Sequence, residues 1–159
     1  MLEVEVVKFD VSAKKAQKIT DFVAQEKPLH IFLNRTHYVT IFCSPSNLKE
    51  LAVGHVLSEG IVKSIEEIGE ISLKEEEVCH VKLKPHVNLE KRMKLLKPFS
   101  RVIFSACGGT APYQYSGRLP KITSNLKVKA EVILNSINGL NSIAKTFRKT
   151  GGVHAAAIY

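Results

Sequence analysis

The segment LHIFLNRTHYVTIFC (residues 29–43) constrains the fold more than any other stretch of the chain. Apolar and other side chains alternate along both of its arms, which is the pattern of β-strands with one buried face. Pro28 precedes the first arm, and the residues 34–37 between the arms are typical of a turn. The segment therefore predicts a β-hairpin whose buried face carries Ile31, Leu33, Val39, Ile41 and Cys43.

Strands and helices are predicted on both sides of this hairpin. Residues 2–11 alternate and predict a strand, residues 12–21 form a polar joint, and Ser44-Pro45 predicts the start of a helix that ends at Gly60. The further predicted elements are a short helix after Ser64, strands near 69–74 and 77–84, helices over 86–99 and 128–149, and strands over 101–105 and 153–159. The fold class is therefore mixed α+β and α/β. A strand-rich region over 1–100 precedes a β-loop-α-β unit over 101–159.

A single thiol stands in the segment FSACGGTAP (104–112), directly after an apolar strand-like run. A nucleophilic thiol must be accessible and needs neighbours that lower its pKa. Gly108 and Gly109 can present backbone N–H groups to an anion or let a large substrate approach closely. Cys107 can equally be a buried residue at a strand end, with the glycines merely turning the chain. The position alone leaves both interpretations open. The other cysteines, Cys43 and Cys79, lie in alternating strand patterns and are predicted to be small core residues.

A second glycine pair lies in Gly151-Gly152-Val153-His154. Such a pair can bind a phosphate, and the histidine can serve as an acid, a base or a ligand. The alternative is a helix C-cap followed by an ordinary strand histidine, and the position alone favours that alternative.

Charge and cysteine usage restrict the partners. The net charge of +8 and the pI of about 9.4 attract phosphorylated ligands, acidic partners and other anions. The chain has no tryptophan and no aromatic residues interleaved with a basic run, which argues against nucleic acid. Three cysteines without a CxxC argue against a disulfide framework and a structural zinc. No signal pattern or membrane-length apolar run is present, so the sequence predicts a soluble cytoplasmic protein without a membrane partner.

Four segments, in this order, resemble the FdhD family of formate dehydrogenase accessory sulfurtransferases. They are VAQEKPLHIFLN (23–34), TIFCSPSNLKELAVGHVLSEGIV (40–62), FSACGG (104–109) and TGGVHAAAIY (150–159). The resemblance implies that the protein takes sulfur from a cysteine desulfurase as a persulfide. It also implies that the sulfur passes to a molybdenum or tungsten bis-pterin guanine dinucleotide cofactor, which then serves formate dehydrogenase. Each match is short, and their joint order and spacing carry the resemblance.

The same resemblance assigns roles to individual residues. It makes Cys107 the sulfur carrier and places the cofactor or its guanine nucleotide at Gly108, Gly109, Thr110, Gly151, Gly152 and His154. Thr110 stands where the family usually has a second cysteine, so a mechanism that needs two thiols in this segment is ruled out. A one-cysteine persulfide carrier and a non-catalytic chaperone, which binds the cofactor or docks the desulfurase, both stay open. No resident metal is expected.

The family also implies a fold for the second part of the chain. Its central domain is similar to cytidine deaminases, so residues 101–159 are expected to form the first part of a deaminase-like α/β sandwich. Members of the family usually continue beyond the Gly-Gly-x-His strand, and the chain is expected to lack that C-terminal part. Because an incomplete sheet exposes edges and apolar faces, we expect a homo-oligomer or a complementary chain.

Overall fold

The computed structural model describes residues 1–96, 101–105 and 123–158. The chain forms two compact units, Met1–Gln25 with Lys121–Tyr159, and Glu26–Pro120. This division differs from the boundary at residue 100 that the sequence suggests, because the hairpin of residues 2–23 groups with the C-terminal helices. The deaminase-like character of residues 101–159 stays a prediction.

The described residues contain strands and helices in both units, with most strands before residue 100. In chain order they are β1 (Leu2–Asp10), β2 (Lys15–Val23), β3 (Lys27–Leu33), β4 (Thr36–Cys43), α1 (Leu48–Ser58), a 3-10 helix (Ile65–Glu67), β5 (Ile68–Lys74), β6 (Val78–Leu83), α2 (Leu89–Leu96), β7 (Arg101–Ile103), α3 (Ala130–Ile143) and α4 (Lys145–Thr150). The mixed α+β class with a strand-rich N-terminal region is therefore confirmed.

The predicted hairpin forms the middle of a sheet in the unit Glu26–Pro120. Among the described residues the strand order is β5-β6-β3-β4-β7. β3 and β4 pair antiparallel, while β6 joins β3 and β7 joins β4 in parallel register. Asn34 and Arg35 form the turn with φ angles of 46° and 77°. Positive φ at both central residues is the geometry of a two-residue turn that matches strand twist. The hairpin is confirmed, with a turn shorter than the four residues predicted.

The core lies on one face of this sheet, as the alternation predicts. Ile31, Leu33, Val39 and Ile41 are buried, and Cys43 is half-buried against the same cluster. The helix α1 covers this face with Ala52 and Val56, both fully buried, and contacts β5 and β6. Burial of apolar surface on the central strands is the main source of stability of this unit.

Two boundaries in the first half differ from the predictions. The helix α1 begins at Leu48 and not at Ser44-Pro45, because Asn47 has a left-handed backbone (φ 53°) that separates these residues from the helix. Gly60 (φ 71°) follows the helix end, as predicted. Residues 15–23 form β2 rather than a polar joint and pair with β1 along their whole length. The strand signal was hidden because lysine and other polar residues occupy most positions of β2.

The last third also differs in detail. One helix was predicted over 128–149, whereas the structure has α3 and α4, separated at Ala144, whose ψ of 54° leaves the helical region. The apolar period continues through the break, so the sequence pattern contains no sign of it. Residues 153–158 form no regular element, although a strand was predicted there. Most of these residues are exposed, and an apolar run forms a strand only where a partner strand pairs with it.

An ion pair connects α2 to the 3-10 helix, and it predicts a dependence of stability on pH. Arg92 binds Glu67 through two parallel contacts, Nη1–Oε2 at 2.6 Å and Nη2–Oε1 at 2.8 Å. Arg92 also donates to the Ile61 carbonyl, and the Lys63 N–H donates to Glu67. The hydrogen bond from Arg92, followed by that from Lys63, lowers the pKa of Glu67 from 4.5 to about 2. A depressed carboxylate pKa stabilises the fold above the unfolded value and loses that effect as the carboxylate is protonated.

We therefore expect the free energy of unfolding to fall as the pH is lowered from about 4.5 to about 2. Urea unfolding at a series of pH values measures this slope, and Glu67→Gln should flatten it. Glu70→Gln is the matched control, because Glu70 meets Lys82 only at 3.9 Å and both side chains are mostly exposed. An equal flattening in both variants would contradict the role of the Arg92–Glu67 pair.

Candidate functional site

The thiols of the described residues lie in the core and not at an open site. Cys79 is fully buried, and Cys43 is half-buried at the end of β4. Desolvation raises the pKa of both thiols, and the Glu26 carboxylate raises that of Cys43 further. The prediction that they are small core residues is confirmed for Cys79, and Cys43 packs against the edge of the same core. Because thiolate is the reactive form, neither residue is suited to nucleophilic chemistry.

The predicted site loop falls outside the described residues. The loop contains the sulfur-carrier candidate, Cys107, and three residues of the predicted cofactor site, Gly108, Gly109 and Thr110. Their assignment stays a prediction from the family resemblance.

The second glycine pair has a defined backbone geometry at the end of α4. Gly151 has a φ of 61° and donates its N–H to the Phe147 carbonyl at 2.7 Å, which is a helix C-cap. The Gly152 N–H points to the Thr150 hydroxyl at 3.2 Å, and an added Cβ at Gly152 would lie 3.0 Å from the Ala24 Cβ. Both N–H groups are thus engaged within the chain. The glycine pair therefore ends the helix α4, as one of the two predicted alternatives has it. A role of the pair in binding phosphate stays a prediction.

His154 follows this cap in an extended, irregular segment. Its side chain is exposed, and Val153 beside it is half-buried. The structure thus places Gly151, Gly152 and His154 in one exposed turn, and their role as cofactor ligands stays a prediction. In the ranges 1–96, 101–105 and 123–158, no group of three or more His, Cys, Asp or Glu side chains is arranged to hold a metal ion.

The outward face of the sheet carries a cluster that the sequence did not reveal. Thr40 Oγ1 lies 2.9 Å from His30 Nδ1 and 3.0 Å from His37 Nε2. The ring of Phe32 lies between His37 and His80, with ring centroids 5.2 and 5.1 Å apart. These residues occupy the outward positions of their strands, and the parallel pairing of β6 with β3 brings His80 beside Phe32. The sequence offered only the presence of the three histidines as a sign of this cluster, and their irregular spacing gives no indication that they lie close together.

An open groove of about 590 Å³ lies at the same end of the sheet and is referred to below as the β5–β6 groove. Its lining combines basic, acidic, polar and apolar residues from the β3–β4 turn, β5 and β6. They are Asn34, Arg35, Glu70, Ser72, Lys74, His80, Val81, Lys82 and Leu83. Donor groups therefore outnumber acceptor side chains in this groove.

Apolar side chains are exposed on the other unit. On α3, Ile133, Leu134, Ile137 and Ile143 are each more than half exposed. Surfaces of this kind often pack against another chain, which agrees with the predicted association. The association itself stays a prediction. None of the helices in the described part of the chain is long and apolar enough to cross a membrane.

Comparison with known proteins relates this chain to a group of sulfur carriers. The model of the FdhD/NarQ family matches residues 24–159. The sulfur carrier protein FdhD of Saccharolobus solfataricus is 34% identical over 164 residues, which cover 98% of this chain and 60% of the relative. The protein of the same name from Staphylococcus haemolyticus is 33% identical over 144 residues, covering 87% and 53%. The chain thus spans between 53% and 60% of the length of these two curated relatives.

A solved structure is also similar. It is described as a formate dehydrogenase accessory protein from Desulfotalea psychrophila, with 26% identity and a TM-score of 0.48. The match covers 52% of this chain and 35% of that chain.

Proposed function

The chain belongs to the FdhD/NarQ family, and we propose that it is a sulfur carrier in the maturation of formate dehydrogenase. The observation that carries this proposal is the family match over 24–159, a range that includes the Cys107 loop and the Gly151-Gly152 turn. The relatives in this match bear the name sulfur carrier protein FdhD. The localisation that goes with this function is the cytoplasm.

The carrier thiol in this proposal is Cys107. Burial of Cys43 and Cys79 supports this choice, because it raises the pKa of both thiols and leaves one cysteine of the three. The Cys107 thiolate attacks the outer sulfur of a persulfide on a cysteine desulfurase. A new S–S bond forms at Cys107, the desulfurase cysteine leaves as a thiolate, and no external oxidant is required.

The outer sulfur then passes to a molybdenum or tungsten bis-pterin guanine dinucleotide cofactor, which is the substrate of the carrier. In that step the S–S bond breaks, Cys107 leaves as a thiolate, and the reduced metal of the substrate supplies the two electrons that convert the sulfane sulfur to sulfide. The net charge of +8 supports an anionic substrate. We assign contacts with the cofactor to Gly108, Gly109 and Thr110, which follow the carrier thiol in the sequence. Gly151, Gly152 and His154 bind the guanine nucleotide, and the Gly151 and Gly152 N–H groups must then exchange their internal partners for phosphate oxygens, as backbone N–H groups of an αR-αL turn can.

Thr110 favours a second candidate function, a chaperone that binds the cofactor or docks the desulfurase without moving sulfur. A threonine cannot form a persulfide or a disulfide with Cys107, so a two-thiol mechanism cannot operate within this segment. In this case the protein would hold the guanine dinucleotide through the same residues.

Loading of the purified chain with sulfur tests the first function against the second. The chain is incubated with a cysteine desulfurase and cysteine, and its intact mass is measured before and after treatment with a thiol reductant. The carrier should gain the mass of one sulfur atom and lose it on reduction, because a persulfide is reducible. If the mass stays unchanged while GDP still binds in an equilibrium titration, the chaperone function replaces the carrier function.

A further inference from the structure

We propose that the β5–β6 groove binds a small, multiply charged anion of the phosphate-ester class. Its lining shares no residue with the predicted sulfur-transfer site, so the proposal goes beyond the proposed function. Three features of the groove support this: the placement of Arg35, the cations on β5 and β6, and the size of the groove.

The position of Arg35 is set by hydrogen bonds from the turn to the neighbouring strand. The Asn34 N–H donates to the Val81 carbonyl at 3.1 Å, and Asn34 Oδ1 accepts the Leu83 N–H at 2.9 Å. The backbone and the side chain of Asn34 thus both bind the β6 backbone and join the β3–β4 turn to that strand. The backbone of Arg35 is therefore held at the groove, although its side chain lies in solvent. A planar guanidinium on a fixed turn can bind two oxygens of one phosphate.

Two lysines, Ser72 and His80 complete the lining together with Glu70. The register of β5 with β6 pairs Glu70 with Lys82 and Ser72 with His80, so these four residues share one face of the sheet. Lys74 lies on the same face, two positions beyond Ser72. His80 is held from the side by the Phe32 ring at 5.1 Å. Ser72 and His80 can therefore donate hydrogen bonds at the centre of a basic surface.

The charge balance of the groove favours an anion. In the described lining, Arg35, Lys74 and Lys82 contribute three positive charges and Glu70 one negative charge, which leaves a formal charge of +2. Glu70 neutralises little of this, because its oxygen lies 3.9 Å from Lys82 Nζ and both side chains are mostly exposed. Three separate cations suit a ligand that carries several charges on adjacent oxygens.

The size of the groove favours a small molecule. A cavity of about 590 Å³ lies within the range of roughly 300 to 1,000 Å³ for small-molecule sites. Val81 and Leu83 are its apolar lining residues, so affinity must come from charge and hydrogen bonding. Sodium pyrophosphate is therefore a suitable probe, since it has the charges of a phosphate ester without an apolar group.

Titration calorimetry of the full chain with pyrophosphate at low salt measures this binding. We expect saturable binding that weakens as salt is added. Arg35→Gln and Lys74→Gln should each weaken binding by about fivefold, the effect of one solvent-exposed charge near the ligand. Glu70→Gln should strengthen it, because it removes the acidic side chain of the groove. Lys91→Gln, on the exposed side of α2, is the matched control and should change nothing.

Amide chemical shifts locate the ligand and separate this proposal from the proposed function. Pyrophosphate should shift the amides of residues 34–35 and 70–82. Shifts confined to residues 150–154 would overturn the groove proposal and support the predicted nucleotide turn instead. Equal weakening in Lys91→Gln, no saturable binding, or equally tight binding of citrate would also overturn it. Sulfur loading is measured on the wild-type chain and on the same variants. Failure of the wild-type chain to load would count against the proposed function and not against the groove, whereas a loss confined to the groove variants would overturn the independence of the two sites.

Discussion

Replacing Cys107 with serine should abolish the sulfur adduct that the wild-type chain acquires from a cysteine desulfurase. A serine hydroxyl is not ionised near neutral pH and cannot form a persulfide, so the loss should be complete rather than partial. The substitution replaces the Sγ sulfur with an oxygen and leaves the size of the side chain nearly constant. Intact mass spectrometry after loading, followed by mapping of the modified peptide, measures the effect directly.

Cys43→Ser is the matched control for this experiment. The Cys43 thiol has a raised pKa from burial and from the Glu26 carboxylate, so it should contribute little to sulfur uptake. The variant should therefore load as the wild type does. Undiminished loading in Cys107→Ser, or loss of loading in Cys43→Ser with an unchanged circular dichroism spectrum, would contradict the assignment of the carrier thiol.

Replacing Ile31 with alanine should destabilise the sheet unit by about 2 to 5 kcal/mol, the usual cost of removing a large aliphatic side chain from a core. Ile31 is fully buried on β3, the strand between β4 and β6. Its loss leaves a cavity between the hairpin and the elements packed on it, because neighbouring strands cannot move inwards without breaking their register. Hydrogen exchange of the β3 and β4 amides measures the unfolding of this unit separately from the other unit.

The matched control is Ile65→Ala, which makes the same chemical change on the 3-10 helix. Ile65 is 60% exposed, so its truncation should alter stability by no more than about 0.5 kcal/mol. Similar losses of protection in both variants would show that burial on β3 is not the cause of the destabilisation.

The sheet could be predicted from the sequence where a strand has one buried face and a chemically clear turn. The hairpin β3–β4 meets both conditions, since buried Ile31 and Leu33 alternate with less buried residues and Asn34 is a residue type that tolerates positive φ. β2 could not be recognised, because both of its faces carry polar residues and its pairing depends on β1. The break between α3 and α4 could not be recognised either, because the backbone at Ala144 departs from helical geometry without a change in the apolar period.

The candidate site was predictable only in part, because some of its residues are recognised by local sequence and others meet only through strand pairing. The family resemblance selects Cys107 and the glycine pairs by their local sequence, and Gly151 indeed has the positive φ that a helix-terminating glycine adopts. The His30–Thr40–His37 cluster has no local signature. Its residues meet because β3 and β4 bring His30 opposite Thr40 in register.

The sequence by itself determined the hairpin, the apolar face of the core and the membership of the family, because each depends on residues close together in the chain or on short ordered segments. Tertiary structure alone decided which basic residues share a groove. Arg35, Lys74 and Lys82 come from a turn and two strands, and they line one groove because β6 pairs in parallel with β3 while β5 pairs with β6. The β5–β6 pairing is a local hairpin, whereas the β3–β6 pairing joins residues 48 positions apart, such as His30 and Val78, and no local periodicity encodes it.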